Sequence, residues 1–187
     1  ALSKIYCEIR ITLMVLNLDF LTSDDPPTPN VSHDSREGEL CLRFEVPSGK
    51  EFALPASGVR EVMSVYLDRI TPIPNASPFF LGTYNWRGQV IWVADLGQFF
   101  GDQILVNTNQ NEISLLIVEE QELVMGFAVH AVANTEWLDI NNMIADRDIP
   151  PTMSGFVRGV YVTSRTDAPE LQLLDQVAIL RSSHWTI

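Results

Sequence analysis

A sequence phrase that occurs twice places the strongest constraint on how this chain can fold. Residues 74–84 and 151–161 both match P-x-x-S-x-F-x-x-G-x-Y, at an offset of 77 residues. After each copy the chain passes through a turn into an apolar segment that ends at an aspartate, Asp95 in the first copy and Asp175 in the second. Two copies are too few for a solenoid. The duplication therefore predicts two small pseudo-symmetric subdomains that pack on each other.

The composition excludes several classes of protein. Hydrophobic residues make up 46% of the 187 residues and charged residues only 19%, which is typical of a chain with a core and not of a disordered one. A net charge of −12 makes nucleic acid and anionic membranes poor partners, because both are bound through Lys and Arg. The two cysteines, Cys7 and Cys41, lack C-x-x-C spacing, so we expect a reduced, cytoplasmic protein without disulfides or zinc.

The first part of the chain is predicted to lie outside the folded core. Residues 22–38 contain three prolines and many polar residues without periodicity, which is typical of a linker. The apolar stretch at residues 11–21 is shorter than the roughly 20 residues of a membrane span, and a strand or an extension fits it better than a signal peptide. We therefore divide the chain into an N-terminal extension, residues 1–36, and a folded domain, residues 37–187.

The remaining sequence predicts an all-β protein. Residues 40–46 alternate between apolar and other side chains, as a half-buried strand does. Further strand-like runs lie at residues 52–54, 59–65, 79–84, 89–96, 113–118, 124–132, 156–163 and 171–174. Their spacing, with turns between them, favours antiparallel barrels or a sandwich.

Helices are predicted to be few and short, and the repeated residues are assigned structural roles. Asp95 and Asp175 each end a strand where a side-chain oxygen could cap a following helix. Gly82 and Gly159, the glycines of the repeated phrase, are also assigned to structure. The predicted helices cover residues 96–100, 141–144 (with Asp139 or Asn141 as a possible cap) and 175–181.

The sequence shows no catalytic pattern. The three histidines, His33, His130 and His184, have no carboxylate or cysteine at ligand spacing, and no nucleophile-elbow, zinc-protease or phosphate-loop motif occurs. Asp95 and Asp175 could be read as a catalytic pair, but equivalent positions in two subdomains generally lie far apart. We therefore expect no enzyme activity, no metal and no cofactor, and a small metal-dependent hydrolase is the less favoured alternative.

One turn carries residues that folding alone does not explain. Gly88 supplies the positive φ of a tight hairpin, and Asn85 tolerates it as well. Trp86 and Arg87 are unusual at a turn tip, and both residue types are enriched at binding hot spots. Alternatively, Arg87 stacks on Trp86 or Trp92 and provides only local order.

The ordered set of motifs from residue 39 to residue 182 resembles the chemotaxis coupling protein family, the CheW-like domains. The similar pieces are V-x-E-V from Val59, I-x-x-I-P from Ile70, G-x-x-N-x-R-G from Gly82, V-x-D-L around Asp95, and a closing L-L-D segment at residues 173–175. Trp86 replaces the usual leucine of that family, His130 stands where an aspartate is common, and residues 146–152 depart most from its pattern.

The resemblance implies two pseudo-symmetric five-stranded barrel subdomains, residues 40–110 and 111–182, which share an apolar seam. It further implies a non-enzymatic adaptor between the cytoplasmic tip of a methyl-accepting receptor and the regulatory domain of a CheA-type histidine kinase, in chemotaxis or phototaxis. Such a protein is cytoplasmic, is recruited to membrane receptor arrays and does not insert into the membrane. An accessory regulatory domain of a kinase complex is the alternative.

The resemblance also indicates which residues bind partners. Arg87 matches the arginine that the family places at its receptor-facing groove, and Val59 and Glu61 match the V-x-E positions of the same region. Together with Asn85 and Trp86, they form the predicted partner-binding set. Gly88 is assigned to the structure of the hairpin. The residues that face the kinase are not assigned.

Overall fold

The structure, a computed structural model, describes residues 38–144, 149–161 and 170–185. Within these residues it contains eleven β-strands and two short α-helices, so the predicted all-β class is confirmed. The strands are β1 (Glu39–Glu45), β2 (Glu51–Pro55), β3 (Val59–Tyr66), β4 (Phe80–Trp86), β5 (Gln89–Asp95), β6 (Glu112–Glu120), β7 (Leu123–Val129), β8 (Ala131–Leu138), β9 (Met143–Ile144), β10 (Val157–Tyr161) and β11 (Leu171–Leu174); the helices are α1 (Leu96–Phe99) and α2 (Gln176–Leu180). The predicted extension, residues 1–36, lies outside the described residues.

The strands form two sheets, one of six strands and one of five. The six-stranded sheet has the order β8-β1-β2-β11-β10-β9, and the five-stranded sheet has the order β3-β6-β7-β5-β4. Most neighbours are antiparallel, but β2 runs parallel to β11 and β5 runs parallel to β7. Each parallel pair joins strands from different copies of the duplication. Their relative direction is therefore not fixed by a hairpin, which is why the antiparallel expectation fails there.

The duplicated units interlock instead of forming one sheet each. The first copy supplies β1 and β2 to the six-stranded sheet and β3, β4 and β5 to the other, while the second copy does the reverse. The chain crosses between the sheets through short connections, the 3-10 turn Ala56–Gly58 and the single residue His130. The two sheets consequently do not coincide with the predicted subdomain ranges, residues 40–110 and 111–182.

The repeated phrase folds in the same way in both copies. The β4–β5 hairpin has a register shift between Phe80 and Gly82, and the β10–β11 hairpin has one between Val157 and Gly159. Gly82 has a φ of +148°, and a Cβ built there would lie 2.3 Å from the carbonyl oxygen of Thr71. A side chain at this position would therefore collide with the backbone.

Each phrase is also tied to the aspartate that follows it. The backbone N–H of Asp95 donates to the carbonyl of Phe79, and that of Asp175 donates to the carbonyl of Phe156, both at 2.8 Å. The duplication inferred from the sequence thus corresponds to a repeated set of backbone hydrogen bonds and register shifts.

The core has three parts. The largest buried cluster combines side chains from both sheets and forms the apolar seam between them, with Phe52, Phe99 and Phe127 among its members. A second cluster lies within the five-stranded sheet and a third, which includes Cys41, lies within the six-stranded sheet. Alternation explains this division, because successive strand residues face opposite sides of a sheet.

Two predicted elements differ from the structure. The predicted run at residues 124–132 is two strands, because the chain crosses between the sheets at His130. The predicted helix at residues 141–144 is a 3-10 turn, Ile140–Asn142, followed by β9. Asp139 caps this turn by accepting a hydrogen bond from the N–H of Asn141 at 2.9 Å. In the described part of the chain, no helix is long and apolar enough to cross a membrane.

Candidate partner-binding site

The predicted site lies at the tight hairpin between β4 and β5. Trp86 pairs with Gln89, so the loop consists of Arg87 and Gly88 alone. Both have positive φ, +52° for Arg87 and +86° for Gly88, as the two-residue turns that match the twist of paired strands require. Gly88 has the positive φ that the sequence predicts, and the second residue with this conformation is Arg87 and not Asn85.

Asn85 stabilises the turn from the end of β4. Its side-chain Oδ1 accepts a hydrogen bond from the N–H of Gly88 at 2.9 Å. An asparagine that bonds to the backbone a few residues later is a common means of fixing a turn. The structure therefore gives Asn85 a local role, and a contact between its exposed side chain and a partner stays a prediction.

Glu61 connects the hairpin to the other edge of the five-stranded sheet. One carboxylate oxygen, Oε2, accepts from the indole Nε1 of Trp86 at 2.8 Å and from Nη2 of Arg87 at 2.9 Å. Glu61 lies on β3 and Trp86 on β4, which are the two edge strands of this sheet. The contact thus holds the edges near each other and fixes the orientation of both hairpin side chains.

Arg87 is ordered and exposed at the same time. Its guanidinium carbon lies 5.1 Å from the centre of the Trp86 ring, within the range of a cation–π contact. Its side chain is nevertheless 64% exposed, against 29% for Glu61. The stacking that the sequence analysis offered as an alternative to binding is present, and it leaves most of the arginine open to solvent.

The two other predicted partner-binding residues are less accessible. Trp86 is half-buried and packs against the cluster inside the five-stranded sheet. Val59 is only 2% exposed and belongs to the seam, so its side chain is not available for direct contact with a partner. The structure brings Glu61, Trp86 and Arg87 together and places Val59 in the core. Strict alternation would put Val59 and Glu61 on one face of β3, but a bulge between them breaks the alternation, so Val59 packs in the seam.

The aspartates of the two copies cap α1 and α2. Asp95 accepts from the N–H of Gln98 at 3.0 Å with one oxygen and from the N–H of Val106 at 2.8 Å with the other. Burial raises the pKa of Asp95 despite these donors. Asp175 accepts from the N–H of Ala178 at 2.9 Å. Both carboxylates are engaged with backbone in the folded domain.

In the described part of the chain, the side chains outside the hairpin that could bind a metal do not come together. Among residues 38–144, 149–161 and 170–185, no group of three or more His, Cys, Asp or Glu side chains could hold a metal ion. Cys41 is fully buried, and burial raises the pKa of its thiol to about 12. A cleft of about 400 Å³ brings His130 near Glu112 and Ser64, and the Ser64 hydroxyl donates to the Glu112 carboxylate at 2.6 Å.

The sequence analysis missed an exposed apolar surface beside the hairpin. Val90 and Trp92 lie on the outer face of β5, and Leu123 lies on the outer face of the neighbouring strand β7. The sequence contains a signal for this surface. Residues 90–93 are all apolar, so β5 has two apolar faces, whereas a strand that covers a core on one side needs only one.

Comparisons with known proteins agree with this architecture. A family model for the CheW-like domain matches residues 40–184. The chemotaxis protein CheW of Rhizobium meliloti (strain 1021) is 29% identical over 140 residues, which is 71% of this chain and 83% of that protein. The crystal structure of the scaffolding protein TtCheW from Thermoanaerobacter tengcongensis aligns with a TM-score of 0.62 at 25% identity, covering 74% of this chain and 89% of that one. The chain belongs to the CheW-like domain family.

Proposed function

We propose that this protein is a non-enzymatic chemotaxis adaptor that couples methyl-accepting receptors to a CheA-type histidine kinase, and that Arg87 is its main receptor-binding residue. Membership of the CheW-like family supports the adaptor role. The observation that carries the assignment of Arg87 is its state in the hairpin: the side chain is held by Glu61 and Trp86 and is still 64% exposed.

A pre-ordered arginine suits a recognition surface. Binding normally loses the conformational freedom of a long side chain, and a side chain that is already held loses less. Glu61 occupies Nη2, so the remaining N–H groups of the planar guanidinium can donate to carboxylate or carbonyl oxygens of a partner. The fold therefore presents a preformed donor at the tip of a rigid hairpin.

The proposed partners are the cytoplasmic tip of a methyl-accepting receptor and the regulatory domain of the kinase. Binding to these two partners would hold the protein at membrane receptor arrays, on the cytoplasmic side. In an array each adaptor takes part in several contacts, so individual contacts can be weak, roughly micromolar, and still assemble stably. Phototactic receptors are an equivalent input, since the same coupling would serve them.

Arg87→Ala should weaken receptor binding and leave the fold intact. Losing an exposed ion pair costs about 0 to 1 kcal/mol of stability. A central interface arginine contributes about 2 kcal/mol or more, which is roughly thirtyfold in affinity. Arg87→Lys should restore only part of the binding, because an ammonium lacks the planar fork. The measurement is a titration of a soluble receptor-tip fragment, with thermal unfolding of the same samples.

Binding of the kinase regulatory domain is the control, because it should survive Arg87→Ala. A variant that binds the receptor fragment like the unmutated protein would contradict the assignment of Arg87. A variant that melts well below the unmutated protein would give Arg87 a structural role. Failure of the unmutated protein to bind either partner would refute the adaptor function.

A further inference from the structure

The two aspartates that cap α1 and α2 differ in what their second carboxylate oxygen contacts. In the first copy, Oδ1 of Asp95 accepts from the N–H of Gln98, and Oδ2 accepts from the N–H of Val106 at 2.8 Å. In the second copy, Oδ1 of Asp175 accepts from the N–H of Ala178, and among the described residues no donor reaches Oδ2. The same position of the fold thus has a second backbone donor in one copy only.

Asp175 lies in a cleft of about 250 Å³, which we name the Asp175 cleft; its walls include Glu39, Pro55, Ser57, Arg158, Asp175 and Gln176. Gln176 is only 8% exposed. Its Nε2 donates to Glu120 at 3.4 Å, but its buried Oε1 has no hydrogen-bond partner among the described residues. The first copy has the fully buried Leu96 at this position, which needs no donor. Because buried acceptors nearly always have a donor, the cleft is missing one.

The duplication indicates which part of the chain belongs in the cleft. Val106 lies in the segment before β6, six residues ahead of the start of that strand at Glu112. The pair β6–β7 corresponds to the pair β1–β2: each is antiparallel, and its second strand runs parallel to the last strand of the other copy or its own sheet, β5 or β11. The equivalent of the Val106 segment is therefore the segment before β1, residues 31–37.

The start of β1 lies where this segment can enter the cleft. Glu39, the first residue of β1, lines the cleft and accepts from Arg158 at 2.8 Å. Gly38 lies directly against β8, because a Cβ built there would be 2.8 Å from the carbonyl oxygen of Leu138. The chain therefore approaches β1 along the sheet and meets the cleft at the first residue of the strand. A segment tethered so close has an effective concentration of roughly millimolar, so weak contacts suffice to hold it.

We propose that residues 31–37 of this chain bind in the Asp175 cleft and donate a backbone N–H to Oδ2 of Asp175, as the Val106 segment does to Asp95. The sequence fits this role, because the prolines of the predicted linker all precede residue 30 and every residue from 31 to 37 carries an N–H. A second N–H of the segment would supply the donor that Oε1 of Gln176 lacks. This contact does not depend on binding of the receptor or the kinase.

The test is amide hydrogen exchange of the full chain, followed by NMR, with a synthetic peptide of residues 31–37 as the unprotected reference. At least one amide of the segment should exchange roughly tenfold more slowly in the protein than in the peptide. Asp175→Asn should abolish this protection, because asparagine keeps one oxygen for the helix cap but replaces the other with an N–H donor. Glu122→Gln is the matched control: it removes an exposed carboxylate outside the cleft and should leave the protection unchanged.

A second variant tests the cleft by filling it. Ser57 is exposed at the wall of the cleft, so Ser57→Trp should release residues 31–37, whereas Asn109→Trp in the exposed loop before β6 should not. Asp175 is half-buried, so an N–H released there binds water, and thermal unfolding of each variant should change little.

Three results would overturn the proposal. The first is exchange of residues 31–37 at the peptide rate in the unmutated protein. The second is protection that survives Asp175→Asn. The third is protection that disappears on dilution, which would place the segment of a second copy of the chain in the cleft instead.

Discussion

Glu61 determines how the hairpin presents Arg87. A single carboxylate oxygen accepts from both the Trp86 indole and the Arg87 guanidinium. The Trp86 bond is partly buried, whereas the Arg87 bond is exposed. Removing the charge of Glu61 and removing its acceptor are therefore two different changes, and they separate orientation of the arginine from stability of the sheet.

Glu61→Gln should weaken receptor binding less than Arg87→Ala does, with little change in stability. The glutamine oxygen can still accept from Trp86, but the ion pair with Arg87 is lost, which is worth about 0 to 1 kcal/mol at an exposed site. Glu61→Ala leaves the partly buried indole N–H without its acceptor and should destabilise the fold by about 1 to 3 kcal/mol. Urea unfolding and receptor titration of both variants provide the check.

A double-mutant cycle with Arg87→Ala tests whether Glu61 acts through the arginine. If it does, Glu61→Gln should have no further effect on affinity in the Arg87→Ala background. An additional loss of affinity of similar size in that background would show that Glu61 contacts the partner itself.

At the scale of elements, the two caps are similar in sequence but unequal in structure. Asp95 accepts from two backbone donors and thereby connects α1 to the loop that leads to β6, while Asp175 accepts from the N–H of Ala178 at the start of α2. Asp95 is buried, and Asp175 is only half-buried. Both copies therefore have a helix capped by an aspartate, and in the first copy this aspartate also accepts a hydrogen bond from the N–H of Val106.

Asp95→Ala should destabilise the protein more than Asp175→Ala does. Loss of a helix cap costs about 1 kcal/mol, and a buried N–H left without an acceptor adds about 1 to 3 kcal/mol at Asp95. Urea unfolding of the two variants against the unmutated protein measures the difference. Equal destabilisation would show that the bond to Val106 contributes nothing.

The pH dependence of the Asp95 contribution has a definite sign. Because burial raises its pKa, the folded protein binds the proton of Asp95 more tightly than the unfolded chain does. The stability linked to this proton is fully present below the unfolded pKa of about 3.9 and is lost as the pH rises through the raised folded pKa. The stability of the unmutated protein relative to Asp95→Asn should therefore decrease over that range, and a difference independent of pH would contradict the shift.

Local chemistry explains which elements could be predicted from the sequence. The alternation at residues 40–46 and the aspartates before α1 and α2 are local signals, and β1 and both helices lie where these signals indicate. The crossing at His130 has no such signal, since an apolar run reads the same whether it continues in one sheet or passes to another. The positive φ of Arg87 could not be predicted either. The register of the β4–β5 pair, and not the residue type, decides which two residues form the loop.

At the scale of the whole molecule, interlocked copies should make the two sheets unfold together. Cys41 lies in the cluster of the six-stranded sheet, and Trp86 and Trp92 lie on the five-stranded sheet. Trp185 packs in the seam and Trp137 lies on β8, so both are replaced to confine the fluorescence to the five-stranded sheet. In a Cys7→Ser, Trp137→Phe, Trp185→Phe background, thiol labelling of Cys41 and tryptophan fluorescence should report the same urea midpoint. The native thiol should be inert, because its pKa is about 12 and it is buried.

Coincident transitions measured with the two probes are the mark of a single cooperative unit. Labelling of Cys41 at urea concentrations that leave the fluorescence unchanged would show that the six-stranded sheet opens independently, and would contradict this expectation.

The short crossings at Ala56–Gly58 and His130 give the molecule the topology of a domain-swapped dimer within one chain. The first copy contributes β1 and β2 to the sheet that is built mainly from the second copy, and the second copy contributes β6 and β7 to the other sheet. Two subunits that exchange an element have the same arrangement. A half expressed alone would keep a sheet edge that its partner normally covers, and such an edge invites pairing with another chain. The residues that join β5 to β6 thus act as a tether that keeps this exchange within a single molecule.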